Sequence, residues 1–251
     1  MLEFLSGLYA IIIRFWPSIL LGVRTTITLA VIGTSLGLII GLVVGGLKAI
    51  KPDHNSPSWV KVIKRIYYVL SSIYIEIFRG TPMMVQAVFI YYALLNIIHW
   101  DKLSAGLFVI SINTGAYMSE IIRAGIQAVD PGQQEAARTL GMSNIQTMFY
   151  IILPQAIRNV FPAIGNELVV NIKDSSVLMI ISITELMFQA KSIGGTTYKF
   201  TETYFLTAMV YLCLTLIASF ILRKIEKKLN NRTTSLPQSD TDSTNMFIGV
   251  K

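Results

Sequence analysis

The sequence predicts an all-α membrane protein with five transmembrane helices, and three observations support this fold class. The 251 residues are 53% hydrophobic and only 14% charged, whereas soluble domains average about 25% charged residues. The apolar residues are collected into long runs, and about 20 such residues cross a bilayer as a helix. The basic residues are divided unevenly between the connecting segments. This composition excludes a disordered chain, a disulfide scaffold and an ordinary water-soluble enzyme.

Polar segments divide the apolar runs into five helical regions, two of which are interrupted. The predicted regions are 25–47, 59–96 (interrupted at 78–82), 103–122, 148–190 (interrupted at 173–176) and 204–222. We expect three parts overall: an external N-terminal segment at 1–18, a membrane domain at 19–228, and a polar, mobile cytoplasmic tail at 229–251.

Four glycines recur every four residues in the first predicted helix, at positions 33, 37, 41 and 45. This spacing places them on one helix face, where the absence of side chains lets another helix approach closely. We therefore expect an interface with a second helix along this face. Loose packing of the same face against lipid is the alternative.

The basic residues indicate how the chain is oriented in the membrane. Fourteen lysines and arginines flank the two loops and the tail of one side, against five on the other side. Cytoplasmic loops carry the excess of basic residues in membrane proteins. The sequence thus predicts an external N-terminus and a cytoplasmic C-terminus, and the net charge of +7 indicates this bias and not nucleic-acid binding.

The loop at 130–150 has the pattern of two short helices joined by a glycine corner. Asp130 is placed to cap a helix that begins at Pro131, with Gln133 at capping-box spacing, and Gly141 suits the left-handed residue that ends this helix. Ser143 and Gln146 form a second capping box. The second helix is expected to place four apolar residues on one face: Ile145, Met148, Phe149 and Ile152.

The same loop resembles a known signature. Glu135-Ala136-Ala137 is followed after three residues by Gly141, and after nine more by Ile151-x-Leu153-Pro154. This pattern resembles the EAA signature of permease subunits in binding-protein-dependent ABC importers. Segments 78–86, 116–126, 153–158 and 173–178 resemble the polar amino acid branch of these permeases, and the likeness covers about 18–228. Met83-Met84 and the long tail depart from the usual pattern.

The resemblance implies a type I ABC importer permease fold in the inner (cytoplasmic) membrane of a bacterium, and a role in polar amino acid uptake without enzymatic activity. It also implies that Glu135, Ala136, Ala137, Leu140 and Gly141 couple the chain to an ATPase subunit. The implied partners are two ATPase copies, a second permease chain, a separate solute-binding protein and the lipid bilayer. ATP and Mg²⁺ are expected on the ATPase, because this chain has no G-x-x-x-x-G-K-[ST] phosphate loop. Which amino acid is carried, and whether the two permeases are identical, stays open.

Charged residues at membrane depth indicate a candidate substrate pathway, since such residues usually face a cavity or a partner. Glu76 and Arg79 are three residues apart and can pair on one helix face, directly before a predicted helix break. The candidates at the two interruptions are Glu76, Arg79, Gly80, Thr81, Pro82, Gln86, Lys173, Asp174, Ser175 and Ser176. The alternative is a structural ion pair at each interruption. Weaker pathway candidates are Asn166, Glu167, Asn171, Glu185 and Gln189, while Glu120 and Arg123 are expected to anchor the loop at 130–150.

Two other classes of function compete with an importer subunit. An ATP-independent secondary transporter or channel needs its own coupling groups or filter and usually shows inverted repeats, and no internal repeat is evident. An intramembrane enzyme needs a nucleophile and a base, yet His54 and His99 stand alone in loops and Cys213 has no nearby partner in sequence. The same isolated histidines indicate no metal site.

Overall fold

The computed structural model describes residues 2–50 and 57–231, and within this range the chain is helical without a β-strand. The α-helices are α1 (Leu2–Ala49), α2 (Ser58–Gly80), α3 (Met83–Ile98), α4 (Lys102–Gln127), α5 (Pro131–Thr139), α6 (Asn144–Thr147), α7 (Leu153–Asp174), α8 (Leu186–Thr197) and α9 (Phe200–Asn231). A π-helical turn, Met148–Ile152, joins α6 to α7, and a 3₁₀ helix, Ser175–Ile181, follows α7.

Three of these helices, α1, α4 and α9, are long and apolar enough to cross a membrane singly. Two further candidates are bent pairs. The axes of α2 and α3 differ by 113°, and the stretch Asn144–Ile181 is bent by 56° against α8. The two regions that the sequence predicts as interrupted are therefore bent helix pairs, and the described residues hold up to five candidate spans.

Helix α1 begins 23 residues earlier than the predicted first helix, at Leu2, and continues without a break through Pro17. Its 48 residues reach about 72 Å. Arg14 and Arg24 interrupt the apolar run of the sequence, but Ile11 and Ile19 pack into a buried cluster with Leu186 and Ile193. This packing explains why the helix persists through a stretch that hydropathy alone assigns to an external segment.

Helix α9 ends at Asn231, nine residues beyond the predicted end of the fifth helix. Its last turns contain lysine and arginine, which favour helices but lower the hydropathy on which the prediction depends. Leu229, Asn230 and Asn231 of the predicted tail belong to this helix, and residues 232–251 lie outside the described range, as does His54.

The glycine face of α1 packs against α4, which confirms the predicted interface. The two helices run parallel, with Gly33 opposite Ile110 and Gly45 opposite Ser119. A Cβ atom built on Gly37 would lie 2.7 Å from Cβ of Thr114, and one on Gly41 would collide with Met118. Any larger residue at these positions would force the two helices apart.

A buried amide connects a third helix to this pair. Asn171 of α7 is 3% exposed, and its Nδ2 donates to the hydroxyl oxygens of Thr34 at 2.8 Å and Thr114 at 3.0 Å. Asn171 was a weaker pathway candidate; in the structure its side chain joins α7 to α1 and α4.

A buried carboxylate holds the start of α8. Glu185 is fully buried and accepts hydrogen bonds from the backbone N–H groups of Met187 and Phe188 and from the hydroxyl of Tyr211 at 2.8 Å. The backbone N–H of Leu186 donates to Thr26 of α1 at 3.2 Å. Glu185 was also a pathway candidate; in the structure it is an N-cap that joins α8 to α9, while Leu186 joins α8 to α1.

We expect Gly41→Leu to destabilise the protein, because the added side chain has to displace Met118. Overpacking of this kind costs about 1–3 kcal/mol or more. Thermal unfolding of the detergent-purified chain, together with its yield from membranes, measures the effect.

Gly46→Leu is the matched control, since a Cβ built on Gly46 would meet, apart from neighbouring parts of α1, no atom of the described residues within 4 Å. We expect this variant to unfold close to the wild-type temperature. Equal stability of the two variants would show that the interface between α1 and α4 is not tightly packed.

Candidate functional site

The first helix of the 130–150 loop is capped at both ends as the sequence predicts. The carboxylate of Asp130 accepts from the backbone N–H of Gly132 at 2.8 Å. Gly141 has φ +79°, the left-handed conformation that favours glycine, and its N–H donates to the carbonyl of Arg138 at 2.9 Å. Helix α5 therefore ends in a defined corner.

The second helix opens with the predicted capping box. The hydroxyl of Ser143 accepts from the N–H of Gln146, while the side chain of Gln146 accepts from the N–H of Ser143 at 2.9 Å. The expected capping-box role of Gln133 is wrong, because its side-chain oxygen accepts instead from Gln155 of α7 at 3.4 Å. Gln133 thus connects α5 to α7.

The exposed surface of α5 contains fewer of the predicted coupling residues than the motif suggests. Glu135 and Ala136 are exposed, and Leu140 is 82% exposed although it is apolar. Ala137 is only 3% exposed and is buried within its own chain. Ala136, about 100° around the helix from Ala137, faces outward, so burial separates the two alanines of the motif. Glu135, Ala136 and Leu140 remain available to a partner.

The predicted apolar face of the second helix is divided by the π-helical turn. Ile152 is buried beside Val129 and Ala156, and Met148 packs against the same cluster. Ile145 and Phe149 are 61% and 53% exposed, so they do not share this face. A π turn adds a residue to the helical repeat and rotates the residues after it, which a regular 3.6-residue pattern does not anticipate.

The first break falls where the sequence predicts it, between Gly80 and Met83. Gln86 is 6% exposed, and its Nε2 donates to the carbonyls of Phe78 and Thr81, both at 2.9 Å. Asn113 of α4 donates to the side-chain oxygen of Gln86 at 2.9 Å and to the Phe78 carbonyl at 3.2 Å. These bonds satisfy carbonyls that the end of α2 leaves without helical partners. Sequence analysis missed Asn113, although a polar residue inside an apolar run was its signal.

The expected pairing of Glu76 with Arg79 is wrong. Among the described residues the two carry no ion pair within 4 Å, and the guanidinium of Arg79 instead lies over the ring of Tyr117 at 5.4 Å. Glu76 lines a cavity at the ends of α1 and α4. Spacing by three residues permits an ion pair but does not require one.

The second break is longer than predicted. Helix α7 ends at Asp174, but the chain continues as a 3₁₀ helix, and the bend itself falls between Ile181 and Leu186. Lys173 and Asp174 are exposed and form no ion pair within 4 Å with any residue that the structure describes, so the structural-pair alternative is not observed for them. Ser175 is buried and donates to the carbonyl of Ile172, and Ser176 is half-buried.

The two breaks meet in one apolar cluster. Ala87 of α3 is buried with Leu178, Ile181 and Ile183 of the second break, and Met83 packs against them. Gly80, Thr81 and Pro82 remain exposed at the first break. The two breaks are therefore in contact through this cluster.

Glu120 and Arg123, which were expected to anchor the 130–150 loop, pair with each other near the end of α4. The Glu120 carboxylate lies 2.6 Å from the Arg123 guanidinium and 3.9 Å from the ammonium of Lys48 on α1. Arg123 also donates to Gln127 at 3.0 Å. Sequence analysis did not identify Lys48 as part of this group. The described residues contain no group of three or more His, Cys, Asp or Glu side chains that could hold a metal ion.

Comparison with known proteins places this geometry in a family. The family model described as "binding-protein-dependent transport system inner membrane component" matches residues 58–231. The chain is 35% identical over 220 residues to the glutamine transport system permease protein of Escherichia coli (strain K12), covering 85% of this chain and 95% of the relative. It is 34% identical over 217 residues to the arginine transport system permease protein of Bacillus subtilis (strain 168), covering 86% and 94%.

Solved structures of ABC transporters are also similar to this chain. An amino acid ABC transporter crystallised with histidines matches with a TM-score of 0.75 at 37% identity, over 86% of this chain and 96% of that one. An inward-facing MetNI methionine ABC transporter shares the fold, with a TM-score of 0.73 at 18% identity over 86% and 97%. The predicted type I importer permease fold is confirmed. The chain therefore belongs to the family of inner membrane components of binding-protein-dependent transport systems.

Proposed function

We propose that this chain is the permease subunit of an ATP-driven importer and forms the translocation path for a polar amino acid. The observation that carries the proposal is the capped unit α5–Gly141–α6, which presents an exposed leucine from a rigid corner. Relatives named as glutamine and arginine permeases, and a solved amino acid transporter, support the substrate class. Membership of a binding-protein-dependent family argues against an ATP-independent transporter or channel.

The chain itself is proposed to be non-catalytic. Two ATPase subunits would bind ATP and Mg²⁺ and receive the exposed residues Glu135, Ala136 and Leu140 of two permease chains. A separate solute-binding protein would deliver the amino acid on the outer side, where the basic-residue bias places the N-terminus. Whether the second permease chain is identical to this one decides only the symmetry of the assembly.

Helix α4 connects the 130–150 loop to the first break, and this connection is the proposed route of coupling between the ATPase and the path. Its C-terminal end leads through three residues into α5, and its centre holds the first break through Asn113. Closure of the ATPase pair would move both α5 corners, and α4 would carry that movement to the break. The path would then alternate between inward-open and outward-open forms.

The exposed charges at the breaks suit a zwitterionic substrate. Arg79 offers a donor for a carboxylate, and Asp174 offers an acceptor for an ammonium group. Both side chains are exposed in the single chain, as residues that line a path between two permeases would be. The side-chain amide of Gln86 already donates to two backbone carbonyls at the first break. Its proposed role is therefore to hold the backbone of the path in place and not to bind substrate.

We expect Leu140→Asp to abolish docking of the ATPase, because it places a charge where an apolar side chain would enter the partner's groove. Loss of a central interface residue costs about 2 kcal/mol or more, roughly a 30-fold weaker complex. Co-purification of the ATPase and ATP-driven uptake measure the effect. Leu140→Met is the control and should retain both, and full co-purification by Leu140→Asp would contradict the proposed dock.

We expect Arg79→Gln and Asp174→Asn to lower amino acid uptake in proteoliposomes while leaving protein yield unchanged, because both side chains are exposed. Removing one charged hydrogen bond to substrate costs about 1.5–3 kcal/mol. The half-saturating substrate concentration for stimulated ATP hydrolysis should therefore rise about tenfold or more. Lys224→Gln, an exposed charge on α9, serves as the control. Unchanged kinetics in both pathway variants would exclude them from substrate contact.

A further inference from the structure

A cavity of about 820 Å³ opens where α1 and α4 end and α2 begins. Its size lies within the range of roughly 300–1,000 Å³ that is typical of small-molecule sites. Residues of all three helices line it, so the cavity depends on the packing of the bundle and not on one loop. Its lining includes Lys48, Lys61, Lys64, Arg65, Tyr68, Ile75, Glu76, Glu120, Arg123 and Ile126.

The lining is strongly basic, with five cationic side chains against two carboxylates. One of those carboxylates, Glu120, is already neutralised by Arg123 at 2.6 Å and Lys48 at 3.9 Å. A concentration of like charges in a partly enclosed space repels itself and attracts an anion. The excess of positive charge in the lining therefore favours the binding of an anionic ligand.

Several of the cations are held in place before any ligand arrives. The ammonium of Lys64 donates to the carbonyl of Leu47 near the end of α1, and that of Lys48 lies 4.9 Å from the centre of the Tyr68 ring. Arg123 is fixed between Glu120 and Gln127. Because these groups are ordered by the protein, a ligand would not bear the full entropic cost of ordering them.

The position of the cavity indicates where such an anion comes from. It lies at the ends of two candidate spans, α1 and α4, where the hydrocarbon core gives way to lipid headgroups. From Gln127 it reaches seven residues along α4 to Glu120, about 10 Å into the membrane. Apolar side chains, Ile75 and Ile126 among them, lie between the charged groups of the lining. The three basic residues of α2 lie toward the start of that helix, at the end of the cavity nearest the headgroups.

We propose that this cavity binds the phosphate-bearing headgroup of an anionic phospholipid. Basic pockets between membrane helices on the cytoplasmic side bind such headgroups in other proteins. Ile126 and Gln127 also line a second cavity, which extends beneath α5 to Asp130 and Arg138. A lipid bound here stabilises the end of α4 at the point from which the 130–150 loop emerges.

The test uses the complete transporter, purified from membranes and exchanged into nanodiscs of phosphatidylcholine with a minor fraction of phosphatidylglycerol. Native mass spectrometry after release from the nanodisc measures the phosphatidylglycerol that stays bound. We expect selective retention by the wild type and a loss of at least about fivefold in Arg65→Glu, because each basic residue near an anionic lipid contributes about a fivefold affinity and the variant also adds a negative charge. Arg65 is exposed, so the variant should assemble normally, and Arg65→Gln gives an intermediate test.

Lys227→Glu is the matched control, since Lys227 is an exposed basic residue near the end of α9 and outside the cavity lining. It should retain phosphatidylglycerol as the wild type does. Equal retention by Arg65→Glu and Lys227→Glu, or equal retention of phosphatidylcholine and phosphatidylglycerol by the wild type, would overturn the proposal. A parallel arm adds millimolar inorganic phosphate: displacement of phosphatidylglycerol by phosphate alone would identify a soluble anion as the ligand and also overturn it.

Discussion

The close packing of α1 on α4 is the constraint on which the rest of the structure depends. Four glycines spaced by four residues leave a strip of the α1 face without side chains, so α4 approaches the backbone closely along it. In a membrane no hydrophobic effect drives two helices together, and such close contact is the main source of their attraction. Polar contacts attach three other helices to this pair. Asn171 of α7 donates to Thr34 of α1, and the backbone N–H of Leu186 in α8 donates to Thr26 of α1. The hydroxyl of Tyr74 in α2 donates to the Ile112 carbonyl of α4 at 2.6 Å.

The breaks are possible because this pair supplies their missing partners. Irregular backbone at membrane depth requires hydrogen bonds from neighbouring protein groups. Asn113 lies on α4 between the residues that face Gly33 and Gly37, and it reaches the first break together with Gln86. The side chain that stabilises the break therefore sits on the same helix that leads into the 130–150 loop. We propose that this connection between loop and break couples ATP hydrolysis on a partner to a change in the path.

Local signals predicted the features that depend on one residue or one helix face. The glycine interface, the positive φ of Gly141, the caps at Asp130 and Ser143, and the break before Met83 all follow from backbone rules that hold without tertiary context. The features that depend on competing partners were not predictable. Glu76 and Arg79 have the spacing of a pair, yet Arg79 contacts Tyr117. Ala137 is buried because of how α5 packs against the rest of the chain. Phe149 is exposed whereas Ile152 is buried, and no periodic pattern encodes the π turn that contains both residues.

Spin-label distances measured by double electron–electron resonance test most directly whether α1 and α4 move as one body. Labels at the exposed positions Leu21 of α1 and Ala124 of α4 would lie roughly 39 Å apart along the pair, because Gly33 faces Ile110 and the remaining offset is 26 residues. In an assembled transporter labelled on one permease chain, the account predicts the same distance peak without nucleotide and with trapped Mg-ATP. A shift between the two states by a helical turn, about 5 Å, would contradict it.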